Sequence, residues 1–181
     1  MGLRPVRAMG LALLTGCLWA VAVSAASDKV RELEWDDLMP SDWNPVAIIE
    51  KALNGKKASE LMDGSPEAQR FLTEYNSAMS TAPVVGELDG QRVRLAGFAL
   101  PLEFGGMEVT EFLLVPYFGA CIHVPPPPAN QIVYVKTEKP YPVTGLYDAV
   151  QVTGTLQAKS YLNLLGDAGY TMEVKEVEPY L

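Results

Sequence analysis

From Val84 to the C-terminus, apolar residues recur at every second position in short runs broken by turn residues, a pattern that admits few folds. Val84–Leu88 and Gln91–Ala96 flank Asp89-Gly90, a pair suited to the tight primed turn of a hairpin. Val93, Leu95 and Phe98 are expected on one strand face, with Gly97 allowing a bend or bulge. The chain then runs to Glu103-Phe104, turns at Gly105-Gly106 and returns through Met107–Pro116. After a loop, Tyr117–Asn130, three further strands are expected: Gln131–Thr137, Asp148–Leu156 and Tyr170–Val177, with a helical turn at Leu162–Leu165. So many short strands leave unpaired edges unless the sheet closes on itself. The predicted fold is therefore mainly β, a small OB-like closed barrel, with a β-sandwich as the alternative.

The barrel is assigned to residues 84–181 and is preceded, over 26–83, by an extended arm and two short helices. In the arm, Trp35, Leu38, Met39 and Trp43 alternate with acids and Pro40, as in a strip that docks on a domain. Pro45 suits the first turn of a helix over Val46–Leu53, which Asn54-Gly55 closes. Ser65 caps a second helix, with Pro66 at its first position and Glu67 in its first turn. Phe71, Leu72, Tyr75 and Met79 recur at helical spacing until Thr81-Ala82-Pro83 stops it.

Residues 1–25 have the layout of a secretory signal peptide. Arg4 and Arg7 form the positive region, Met9–Val23 is apolar, and Val23-Ser24-Ala25 fits the small-residue cleavage rule. The apolar stretch is at the short end for spanning a bilayer. Leu14-Thr15-Gly16-Cys17 also resembles a lipobox, which would anchor the protein by lipid through Cys17. Against that, the apolar run continues past Cys17 to Val23, where a lipid tether would turn polar. The expected location is the periplasm, with no transmembrane segment left after cleavage.

Removal of the leader takes away two of 14 basic residues and none of 22 acidic ones, leaving a net charge of −10. A domain of that charge repels phosphate backbones, so nucleic acid is excluded as an expected partner. Of the two cysteines, Cys17 leaves with the leader and Cys121 remains alone. A lone thiol in an oxidising compartment is a liability unless buried, ligated or used.

Cys121 stands two residues before His123, the one histidine, ahead of Pro125–Pro128. In an extended segment residues i and i+2 project to the same side. Thiolate and imidazole are the ligands that zinc and copper favour, and the stiff proline run would hold the loop with little entropy to lose. Two ligands do not close a structural zinc site, so Glu103, Glu108, Glu111 or a partner protein would have to complete it. The plainer reading is a buried thiol and a histidine that orders the loop. A thiol enzyme, with Asn130 orienting the ring, is a third reading, and no catalytic residue is assigned. Trp35, Trp43, Tyr117 and Phe118 could form a docking surface or simply pack the core and arm.

The string Val115-Pro116-Tyr117-Phe118-Gly119-Ala120-Cys121-Ile122-His123-Val124-Pro125-Pro126-Pro127-Pro128-Ala129-Asn130-Gln131 resembles the hallmark of bacterial proteins catalogued as domain of unknown function 3299. Leu33–Pro40 and Val93–Leu102 are similar to that family as well. The resemblance implies exported proteins of Gram-negative bacteria, some of them lipoproteins. It also implies genes beside an ABC-type transporter, in settings associated with zinc uptake. Carried over to this chain, it points to Cys121 and His123 as metal-handling residues.

The expected function is thus a periplasmic accessory protein that binds or relays a divalent metal, zinc, for an ABC-type transporter. An adaptor that docks on other envelope proteins is the alternative. Mass spectrometry of the exported protein checks the leader. Ala26 is the expected N-terminal residue, whereas a lipid-modified Cys17 would place the domain on an anchor.

Overall fold

In the computed structural model the described residues are Gly2 and residues 29–103, 106–120 and 126–180. Residues 3–28, which hold Cys17 and nearly all of the expected leader, lie outside them, as do Phe104 and Gly105, with Gly105 one half of the expected Gly105-Gly106 turn. The elements are β1 (Arg31–Glu32), α1 (Pro45–Leu53), α2 (Pro66–Ser80), β2 (Arg92–Pro101), β3 (Glu108–Val115), β4 (Val133–Pro142), β5 (Asp148–Gln157) and β6 (Tyr170–Pro179).

The sheet runs β1-β2-β3-β4-β6-β5, and β5 returns to pair with β2. Five strands therefore form a closed barrel, with β1 outside it. β4 and β6 are parallel, and the other barrel pairs are antiparallel. This is the connectivity of an OB barrel, and the closing β2–β5 pair excludes the sandwich. Closure hides the backbone edges that so many short strands would expose.

Alternation along each strand makes two apolar layers. Val93, Leu95 and Ala99 of β2 point inward, with Phe112, Leu114, Val133, Val135, Val150, Val152, Leu156, Tyr170 and Met172. Phe98 falls on the opposite face, one residue out of phase with Leu95 and Ala99, and joins an outer layer. Val109 and Phe112 both face inward because the β3–β4 register shifts between Val109 and Glu111.

The arm crosses the barrel wall. β1 runs parallel to β2, and Leu33 N–H donates to Arg94 O at 2.9 Å. A single 3-10 turn, Trp35–Leu38, follows, and it buries Leu38 completely. The Trp35 indole N–H donates to Ala96 O at 2.9 Å. Gly97 is needed beside it, because a Cβ there would sit 2.8 Å from both the Trp35 ring and Val115 O.

Both helices start as their caps dictate. Asn44 Oδ1 accepts from Val46 N at 2.9 Å, and Ser65 Oγ accepts from Ala68 N at 3.1 Å. Asn54 ends α1 in the left-handed conformation.

Besides the face of Phe98, two expectations fail. Val84–Leu88 is not a strand: Gly86–Leu88 forms a 3-10 turn that buries Leu88, and Gly90 N–H donates to Leu156 O at 2.8 Å. Asp89-Gly90 thus leads into β2 instead of closing a hairpin. Leu162–Leu165 is not helical either, and its bend is tied down by the Tyr161–Ala168 bridge.

Gly154 marks where β5 presses against β6. A Cβ there would lie 2.3 Å from Glu173 O, whereas one at Gly145 would meet nothing within 4 Å. Urea unfolding should show Gly154→Ala destabilised by roughly 2–3 kcal/mol, as overpacking against rigid backbone requires. Gly145→Ala should stay within about 0.5 kcal/mol of wild type.

Candidate functional site

Cys121, Ile122, His123, Val124 and Pro125 lie outside the described residues, so the site is built from the chain on either side of them. That chain connects β3 to β4 and meets the outer apolar layer. Leu100, Leu113, Val115, Ala120, Ile132, Tyr147 and Ala168 are buried there, with Phe98, Leu102, Tyr134, Tyr161 and Leu165 packed against them. The face of an OB barrel on strands equivalent to β3 and β4 is the one such barrels commonly use for ligands. In this protein, the β3–β4 and β5–β6 connections fold over it.

On the N-terminal side of the segment, Ala120 is fully buried. Its carbonyl accepts a hydrogen bond from the Tyr147 hydroxyl. The Tyr147 ring lies 5.0 Å from that of Phe118, which also meets Phe98 edge-on at 6.2 Å. Phe118 remains 66% exposed despite these contacts, so it rests on the barrel as a flap and does not fill a core. Tyr147 has φ 65°, a backbone region that costs a bulky residue about 1–2 kcal/mol.

On the C-terminal side, Pro128 O accepts from Gln131 N at 2.7 Å and Ala129 O accepts from Gly169 N at 2.7 Å. Gln131 Nε2 donates to Trp35 O at 2.6 Å, which ties the loop to the arm. Asn130, considered above as an orienter of the His123 ring, donates through Nδ2 to Pro83 O at 2.8 Å, just beyond α2; His123 itself lies outside the described residues. The Asn130 Oδ1 is buried with no hydrogen-bond partner among the described residues.

Glu103, Glu108 and Glu111 line one cleft of about 590 Å³, together with Tyr161 and Asn163 of the β5–β6 connection. They do not form a cage: among the described residues, no group of three or more His, Cys, Asp or Glu side chains could hold a metal ion. Glu111 is engaged by Lys136 at 3.4 Å and by the Tyr134 hydroxyl. Tyr134 stacks on Tyr161 with ring centres 3.8 Å apart and planes within 7°.

Of the aromatic residues considered for docking, Trp35 packs against the barrel core, Trp43 is half-buried, and Tyr117 and Phe118 are exposed. Sequence reasoning missed Tyr147, Gln131 and the Tyr134–Tyr161 stack. No periodicity separates these residues from ordinary core positions, and a positive φ at tyrosine leaves no mark in the sequence.

Burial raises the Tyr134 pKa, and the bond to Glu111 raises it further. Burial also raises those of Tyr141 and Tyr170. Unfolded tyrosine ionises near pH 10, so above that pH the unfolded chain loses these protons first. Stability is therefore complete below about pH 10 and is lost as pH rises toward the folded-state values. Thermal melts should show the midpoint falling above about pH 10, with a shallower fall for Tyr134→Phe.

The family model described as Protein of unknown function (DUF3299) matches residues 35–179. A solved structure, that of the DUF3299 family protein PA4066 from Pseudomonas aeruginosa PAO1, is 41% identical. That match covers 84% of this chain and 97% of the other, with a TM-score of 0.62. An OBody, AM3L09, bound to hen egg-white lysozyme is 18% identical over 52% of this chain and 86% of its own, with a TM-score of 0.32. A search of curated proteins gives no match. With the family model spanning most of the chain and a family structure 41% identical to it, the chain belongs to the DUF3299 family.

Proposed function

We propose that this protein is a periplasmic accessory protein that binds a divalent metal, zinc, through Cys121 and His123 and relays it to or from an ABC-type transporter. The observation that carries this reading is the double anchorage of the segment bearing those residues. Ala120 is tied to Tyr147 at one end, and Asn130 and Gln131 are tied to Pro83 and Trp35 at the other. A segment anchored at both ends loses less conformational freedom when it takes up a ligand.

The donor pair itself sets the chemistry. Cys121 would bind as thiolate and His123 as neutral imidazole, both suited to a borderline cation. Affinity would therefore fall as pH falls and the two ligands take up protons. Two donors leave coordination positions open to a partner's side chains, which suits transfer better than storage. Export and the transporter connection come from the signal-like leader and from the resemblance to the family.

A second reading, a non-catalytic adaptor, is favoured by a groove of about 350 Å³ between α2 and the proline run. Tyr75, Met79, Pro126, Pro127 and Leu164 line it, and Leu164 is fully exposed. Isothermal titration with zinc separates the two. Cys121→Ser and His123→Ala should each weaken binding at least about tenfold, the loss expected for one metal ligand. Affinity unchanged in both variants sinks the metal reading and leaves docking as the function.

A further inference from the structure

Thr110 and Glu111 are neighbours in β3, and regular alternation would send one of them into the core. The register shift between Val109 and Glu111 prevents this. Val109 and Phe112 both face inward, and the two polar residues between them both line the cleft of about 590 Å³ on the barrel exterior. Bulges recur beside binding sites because they re-aim side chains in this way. Glu108, Pro140, Tyr161 and Asn163 line the same cleft.

Tyr161 supplies the aromatic surface of this cleft, and it is held from two sides. Its N–H donates to Ala168 O and its carbonyl accepts from Ala168 N, each at 2.9 Å. Tyr134 covers one face of its ring with centres 3.8 Å apart, and the Tyr134 hydroxyl is bonded in turn to Glu111. Asn163 is oriented as well: its Oδ1 accepts from Leu165 N at 2.8 Å, which leaves Nδ2 as a donor. Side chains fixed in advance lose little freedom when a ligand binds.

We propose that this cleft binds an oligosaccharide, one sugar ring packing against Tyr161 while its hydroxyls bond to Thr110, Glu111 and Asn163. The apolar C–H face of a sugar ring packs on an aromatic ring as any apolar surface does, and its hydroxyls both donate and accept. Other ligand classes fit these residues less well. Among the described residues no three His, Cys, Asp or Glu side chains could hold a metal ion, so the glutamates of the cleft do not share one. Their charge repels the phosphates of an oligonucleotide. A basic peptide would be attracted, but Glu111 already pairs with Lys136 at 3.4 Å and accepts from Tyr134. The place in the fold agrees: OB barrels take oligonucleotides and oligosaccharides on the strands equivalent to β3 and β4 and on the loops equivalent to the β2–β3 and β5–β6 connections. Sugar binding here is independent of the metal reading.

The test titrates the purified protein, with EDTA present, against maltohexaose, cellohexaose and the hexamer of N-acetylglucosamine, and separately against hexalysine. At least one hexasaccharide should bind, and Tyr161→Ala and Asn163→Ala should each weaken it at least about fivefold. Leu164→Ser, at a fully exposed position beside Asn163, should leave the affinity unchanged. Glu108→Gln combined with Glu111→Gln keeps polar groups in place and removes charge, so sugar affinity should stay within about threefold of wild type. Failure of all three hexasaccharides to bind overturns the proposal, as does binding that Tyr161→Ala and Asn163→Ala leave intact. Hexalysine binding that the double glutamine variant abolishes, with no sugar bound, makes the cleft a basic-peptide site and overturns it too. If Tyr161→Ala does not fold, Asn163→Ala decides the matter alone.

Discussion

β2 is hydrogen-bonded along both edges, and the arm strand β1, β3 and β5 are all placed by it. One edge pairs with β5 without interruption from Arg92 opposite Thr155 to Ala99 opposite Asp148. The other edge is divided: Arg31 and Glu32 of the arm pair with Val93 and Arg94, and β3 pairs from Phe98 to Pro101. The changeover falls at Ala96 and Gly97, where the Trp35 indole takes the Ala96 carbonyl and the missing Cβ makes room for its ring. A strand satisfied on both sides cannot serve as an exposed edge, and its closure with β5 turns an open sheet into a barrel.

Closure sets up the second layer. With the inward residues of all five strands committed to the core, Phe98, Leu100, Leu113, Val115 and Ile132 face out on the same wall. Such a patch on a barrel exterior must be covered or used. The β3–β4 and β5–β6 connections cover it with Ala120, Tyr161, Leu165 and Ala168. The described chain on either side of residues 121–125 is thus packed at Ala120 and at Ala129–Gln131. Three side-chain donors in this cover find acceptors across the fold: Gln131 reaches the arm, Asn130 reaches Pro83 beyond α2, and Tyr147 reaches Ala120.

Local patterns were legible where a local force decides the outcome. The helix boundaries at Pro45 and Pro66 follow from caps and proline, and β3, β5 and β6 follow from alternation. The hairpin at Asp89-Gly90 did not form, although its local signal was strong. Leu88 is buried in a 3-10 turn, and Gly90 bonds to Leu156 of β5 instead of closing a hairpin turn. Phe98 was placed on the wrong face because its phase relative to Leu95 is odd; period two alone puts it outside.

By itself the sequence determined that the second half of the chain is built mainly of strands, both helix starts, the acidic charge, and the placing of the sole histidine two residues after a cysteine. These depend on neighbours in the chain or on simple counts. Only the tertiary structure decided which strands close the barrel, that Glu111 faces Lys136 and Tyr134, and that Tyr147 reaches Ala120. Those contacts join residues distant in sequence through hydrogen bonds and packing. Their partners are chosen by strand register and closure, which no local pattern encodes.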